Sequence, residues 1–206
     1  DDASTDNTYN IAKRWESDKI KVIRNAENKG AVRNKIESIR KNSKEDDIVM
    51  FLDTDDSFIN DNEIPHFYNN LYDGTTEFTY GSCYSMVDRI PLIAQNYPEE
   101  IKQKKEYRKY KFNWNMPYTH LRTFKAGLLN DIDDSNFQDE NKNWYKAGGD
   151  GSIFYSLIEQ ADPDKVKVVS DIVYNYNDIN PLNDYKINGD EQTKNANRII
   201  NQWKKY

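Results

Sequence analysis

The first half of the chain alternates helical and strand-like hydrophobic patterns. Ser4 and Asp6 are capping candidates for a stretch that carries Ile11, Ala12 and Trp15 on one helical face. IKVIR (20–24) has the length and composition of a short strand. Gly30 then opens a second helical stretch in which Val32, Ile36 and Ile39 recur at helical spacing. DIVMFL (47–52) is an apolar run of strand length, as expected for a strand covered on both faces. Helix, strand, helix, strand in this order predicts right-handed crossovers and a parallel sheet.

The second half is looser. A helix is expected over 62–72, a strand over 77–86, an aromatic and polar excursion over 88–118, and an amphipathic helix over 120–129. A further helix is expected over 149–161 and a strand within 165–177. A terminal helix should pack on Ile199, Ile200 and Trp203. No repeat or flexible linker interrupts the 206 residues, so one domain is expected over 1–206.

Composition narrows the class. Hydrophobic residues make up 36% of the chain and charged residues 31%, so the 15 Tyr and 8 Phe must carry much of the core. A formal charge of −6 argues against a nucleic-acid binder, which needs a basic field. The single cysteine, Cys83, excludes an internal disulfide framework and suits a reducing compartment. No apolar run reaches the roughly 18 residues that span a bilayer. A cytosolic protein is expected, with work at a membrane surface left open.

The candidate chemistry centres on VMFLDTDDSF (49–58), where an apolar strand runs into Asp53, Asp55 and Asp56. Each pair of such charges 4 Å apart repels by about 4 kcal/mol at a surface-like dielectric. Ligands of parallel α/β sheets bind beyond the carboxyl ends of the strands, and hard carboxylates there suit Mg²⁺ or Mn²⁺. The plainer alternative is a solvated turn capping the next helix.

DDASTDNT (1–8), NKGAVRN (28–34), FLDTDD (51–56), HLRTF (120–124) and the acidic AGGDGSIF (147–154) occur in this order in family 2 glycosyltransferases, which the chain resembles from residue 1 to about residue 180. The resemblance implies the GT-A fold, a Rossmann-like and mostly parallel sheet flanked by helices. It also implies metal-dependent, hexosyltransferase-like transfer from a nucleotide-sugar with inversion. Residues 1–87 would form the donor half and 88–206 the acceptor half. Family members carry another strand before the first acidic turn, so the native protein is expected to extend upstream of Asp1.

By this resemblance, Asp55 is the foremost ligand of Mn²⁺ or Mg²⁺. Asp53 contacts ribose or metal, and Asp56 orients them. Asp1 and Asp2 bind base and ribose. A carboxylate there can accept from the uracil N3–H, which makes a UDP-sugar the preferred donor. Arg33 pairs with Asp1 or Asp2 or stacks near the base. His120 completes the metal shell or touches the diphosphate, and Arg122 and Lys125 add positive charge. Asp150 is the base that deprotonates a hydroxyl acceptor (glycan, protein or lipid-linked), with Asp139 and Glu140 next in line. Gly148, Gly149 and Gly151 would leave Asp150 open and let an acceptor approach. The structural alternative makes Asp150 the N-cap of the following helix. Trp114 and Trp144 border the acceptor region and are assigned to the core.

Two other functions remain open. DTDDS after an apolar strand and the GGDGS segment loosely imitate a haloacid-dehalogenase-like phosphatase, though Asp53 follows two earlier α/β units instead of the first strand. A non-catalytic carbohydrate-binding remnant is the third reading.

Overall fold

The computed structural model describes residues 1–59, 63–110, 119–181 and 183–201. Its strands are β1 (Ile48–Met50), β2 (Ser57–Phe58), β3 (Phe78–Ser85), β4 (Ile90–Leu92), β5 (Thr119–Lys125) and β6 (Val166–Tyr176). The helices are α1 (Thr8–Lys13), α2 (Ala31–Asn42), α3 (Ile64–Leu71), α4 (Glu99–Gln103), α5 (Asp150–Gln160), α6 (Asp184–Ile187) and α7 (Gly189–Asn201). The sheet runs β1-β5-β3-β6-β2, with β4 beside the second half of β3.

The sheet is mixed, which corrects the expected parallel arrangement. β3 and β6 are parallel, whereas β5 runs antiparallel to both β1 and β3, and β2 is antiparallel to β6. The strand between β1 and β3 is supplied by β5, which returns from the long excursion after β4. The helix expected over 120–129 is therefore strand β5 followed by a 3₁₀ turn at Ala126–Leu129. Leu121 and Phe124 are both fully buried, in different apolar clusters. A strand covered on both faces loses the alternation that marks strands, and its apolar spacing then imitates a helix.

One apolar cluster joins α2, α5 and α7 to β3 and β5 through Val32, Ile36, Phe78, Phe124, Phe154 and Ile199. The other joins α3 to the sheet through Ile64, Tyr68, Cys83, Leu121 and Val173. Nine of the twelve largest fully buried side chains are Tyr or Phe, so aromatics do carry the core. Helices α2, α3, α5 and α7 and strands β3 and β6 fall where the hydrophobic pattern places them.

The N-terminal segment departs from expectation. IKVIR forms no ladder; its neighbourhood is tied by the Asp1 amine donating to the Ile23 carbonyl and Asn25 N–H donating to the Asp1 carbonyl. Helix α1 buries no residue, and Ile11 and Trp15 are 51% and 71% exposed. Asp6 Oδ1 accepts from Thr8 N–H at 2.9 Å, and Asn7, not Ser4, occupies the N-cap position. At the other end Ile199 is buried but Ile200 is exposed, and Trp203 lies outside the described residues, as does Trp114.

Candidate active site

Three elements converge at one edge of the sheet. Strand β1 ends in the acidic turn, which Asp56 N–H closes by donating to the Asp53 carbonyl. Helix α2 begins at Gly30, whose φ of 84° favours glycine, and its Val32–Ile36–Ile39 stripe is buried. Helix α5 begins immediately after Gly148 and Gly149. A Cβ on Gly149 would stand 2.3 Å from Val32 Cγ2, and one on Gly148 would stand 2.7 Å from Gln192 Cγ. The glycine pair thus seats the start of α5 between α2 and α7. Gly148, Gly149 and Gly151 also line the cavity beside Asp150.

Between these elements lies a cavity of about 460 Å³, lined by Asp53, Asp55, Asp56, Lys35, Arg122 and Asp150 among others. Lys35 Nζ reaches Asp53 Oδ1 at 3.2 Å and Asp150 Oδ1 at 3.4 Å. Arg122 Nη1 stands 3.9 Å from Asp150 Oδ2. Asp150 is the first residue of α5, makes no capping bond, and has a side chain 48% exposed. Burial would raise its pKa, but Lys35 and Arg122 outweigh that and hold it far below the carboxylate range. Burial would lower the Lys35 pKa, yet Asp150 and Asp53 together raise it. Asp150 is therefore ionised and Lys35 protonated at neutral pH.

The acidic turn is held by the end of β6 and the loop after it. Tyr174 hydroxyl donates to Asp56 Oδ2, and Asn177 N–H donates to Asp56 Oδ1 at 2.7 Å. Asn180 Nδ2 donates to Asp55 Oδ2 at 2.6 Å, and Asn177 Nδ2 to the Asp55 carbonyl at 3.1 Å. Burial pushes the Asp56 pKa up. Asp56 is thus committed to the loop, Asp53 faces Lys35, and Asp55 is the exposed member.

His120 also lines the cavity, but its ring stacks on Tyr174 and Tyr176 at centroid distances of 4.7 and 5.3 Å. Burial, with Arg122 adding repulsion, lowers its pKa to about 3, so the imidazole is neutral. Among the described residues no three His, Cys, Asp or Glu side chains are grouped to hold a metal. The expected ligands Asp53, Asp55 and His120 line one cavity but are not grouped in this way. Two hard carboxylates still fit Mg²⁺ or Mn²⁺, since magnesium takes one or two carboxylates and completes its shell with water and phosphates.

Other expected residues lie apart from this cavity. Asp2 accepts from Lys29 and Gly30 N–H, each at 2.8 Å, and from Asn25. Burial opposes ionisation there, but these bonds prevail and lower its pKa to about 2. The Asp1 side chain is 2% exposed and pairs with Arg24 at 3.2 Å. Arg33 pairs with Glu37 at 2.6 Å and lies over the Trp144 ring, in place of the expected pairing with Asp1 or Asp2. Lys125 pairs with Asp46. Asp139 is taken up by Asn141 and Asn143 N–H, and Glu140 pairs with Arg198. Trp144 stacks on Phe137.

Lys35 and Asn180 were missed by sequence reasoning. Lys35 did carry a signal, standing three residues after Val32 beside the apolar stripe, where a long side chain reaches the sheet end. Asn180 lies in an irregular loop and carried none.

A mixed α/β domain with a carboxylate-lined cavity at the end of a sheet strand is the arrangement of a GT-A type domain. Residues 1–133 match the family model described as Glycosyl transferase family 2, and the chain belongs to that family. Its members transfer sugar from a nucleotide-sugar to an acceptor and commonly use divalent metals, which sets aside the phosphatase reading. Comparison with curated proteins gives no match. No helix among the described residues is long and apolar enough to cross a membrane.

Proposed function

We propose that this cavity is the transfer centre of an inverting, divalent-metal-dependent glycosyltransferase that takes a UDP-sugar and glycosylates a hydroxyl acceptor. The observation that carries the reading is the meeting of Asp53 and Asp55, from the end of β1, with Asp150, from the start of α5, around one cavity. Asp55, with Asp53, would hold Mn²⁺ or Mg²⁺, which supplies Lewis-acid stabilisation of the leaving diphosphate. Arg122 adds positive charge for the phosphates. Neutral His120 packs beside them without repelling a cation. The uridine would lie toward the turn that carries Asp1 and Asp2, where the Asp2 carboxylate is saturated by its own loop and the Asp1 side chain is buried against Arg24.

Asp150 is ionised, which is the state a base requires, and it presents its carboxylate to the cavity instead of capping α5. Lys35 and Arg122 lower its basicity, and a pyrophosphate that draws these cations away raises it. Asp150→Asn preserves shape while removing the base. Transfer should fall about 10²–10⁴-fold, the usual worth of general base catalysis, with UDP binding retained. Undiminished transfer would remove Asp150 from the chemistry. UDP binding without turnover by the unaltered protein, across a panel of acceptors, would favour the non-catalytic carbohydrate-binding reading.

A further inference from the structure

The repulsion within the acidic turn raises the question of which positive charge offsets it. The geometry answers with Lys35. Its ammonium touches Asp53 at 3.2 Å and Asp150 at 3.4 Å, and lies 5.1 Å from the centroid of the Phe51 ring. Its side chain is 21% exposed. The stem rises from the same face of α2 as the buried Val32 and Ile36. Val32 also meets Gly149, which fixes the start of α5 against the same turn of α2. One nitrogen therefore links the end of β1, the start of α2 and the start of α5.

We infer that Lys35 is the positioning residue of this centre, holding Asp53 and Asp150 toward one another and standing where a divalent cation would reach Asp53. The inference rests on the reading of the cavity as a metal-dependent transfer site. An ammonium and a divalent ion on the same carboxylate repel each other strongly at contact distance. Metal bound at Asp53 thus requires Lys35 to withdraw toward Asp150 or toward a phosphate. Without donor the withdrawal is opposed, because Lys35 gives up one of its two carboxylates. With a pyrophosphate present the ammonium gains new anionic partners and the competition weakens. Lys35 thereby makes metal and nucleotide enter together and keeps the two carboxylates from repelling apart beforehand.

Manganese binding, followed by the electron paramagnetic resonance signal of free Mn²⁺, tests this without any assay of transfer. Wild type, Lys35→Met and Lys35→Arg would be titrated with and without UDP. Without UDP, Lys35→Met should bind Mn²⁺ about tenfold more tightly than wild type, since a competing charge at contact range is gone. Lys35→Arg should stay near wild type, and the difference for Lys35→Met should shrink when UDP is present. A merely structural lysine would give the opposite sign, because its loss loosens the site. Lys35→Gln serves in place of Lys35→Met should the latter fail to fold, with the same tightening expected. Equal Mn²⁺ affinity in wild type and the uncharged variant, including no binding by either, would overturn the inference. Failure of the underlying reading shows differently, as UDP binding to wild type that is indifferent to Mn²⁺.

Discussion

Helix α5 carries an ion pair at each end, and the two ends behave differently. At its start, Asp150 meets Lys35 and Arg122 at 3.4 and 3.9 Å, with the carboxylate open to the cavity. Near its end, Glu159 receives two bonds from Arg108, at 2.7 and 2.8 Å, and the two side chains are only 5% and 4% exposed. Arg108 also donates to the Ile199 carbonyl at 3.0 Å, so this pair ties the Tyr107–Lys109 turn, α5 and α7 together. Burial raises the Glu159 pKa, whereas two facing cations drive that of Asp150 down. The buried pair is closed and bidentate and serves the fold. The cavity pair is longer, partly solvated and divided among several partners, so its members can change partners.

The difference can be tested by breaking each end. Arg108→Met strands Glu159 in the core and should cost about 3–5 kcal/mol of stability, measured by denaturant unfolding. Pairing it with Glu159→Met should recover much of the loss, because an apolar pair of similar volume avoids the desolvation cost. Lys104→Met, which breaks only the exposed pair with Glu100, should leave the denaturant midpoint essentially unchanged. Gly149→Ala comes next. Its methyl would collide with Val32 and Tyr145, so a loss of about 1–3 kcal/mol is expected, with slowed transfer as the start of α5 moves from α2.

A further effect concerns pH. Folded His120 resists protonation down to about 3, against an unfolded value of 6.5. Its contribution to stability is therefore full above about 6.5 and is lost as pH falls toward 3, because the unfolded chain binds the proton first. His120→Phe should flatten that part of the stability profile in urea unfolding between those limits. An unchanged slope would show that the stacked imidazole is not the group responsible.

The sequence made some of this legible and hid the rest for identifiable reasons. Helix α2 was readable because it buries one face, marked by Val32, Ile36 and Ile39, and exposes the other; α5 is buried on all sides from Ser152 to Glu159 and was readable from the length of its apolar run after the glycines. Strand β5 was not, since Leu121 and Phe124 are buried in different clusters and their spacing copies a helix. Strand direction was also hidden, because the excursion before β5 sets its antiparallel course and leaves no local signature. In the site, the acidic turn and Asp150 were picked out by clustering and by flanking glycines. Those glycines have a packing role that the sequence did not show, since Val32 and Gln192 occupy the space beside them. Lys35 was passed over because a single lysine on a helix is ordinarily solvated. Only the tertiary contact with Asp53 and Asp150 distinguishes it.

The central claim is that the turn ending β1 forms the metal and diphosphate end of a transfer site. Calorimetric titration with UDP, in Mn²⁺ and in EDTA, tests it most directly. Binding should weaken by about tenfold or more without the ion, since a diphosphate would then face Asp53 and Asp55 at like charge. Asp55→Asn should abolish the difference, and Asp53→Asn should weaken binding less. Equal UDP affinity in Mn²⁺ and EDTA would contradict the account.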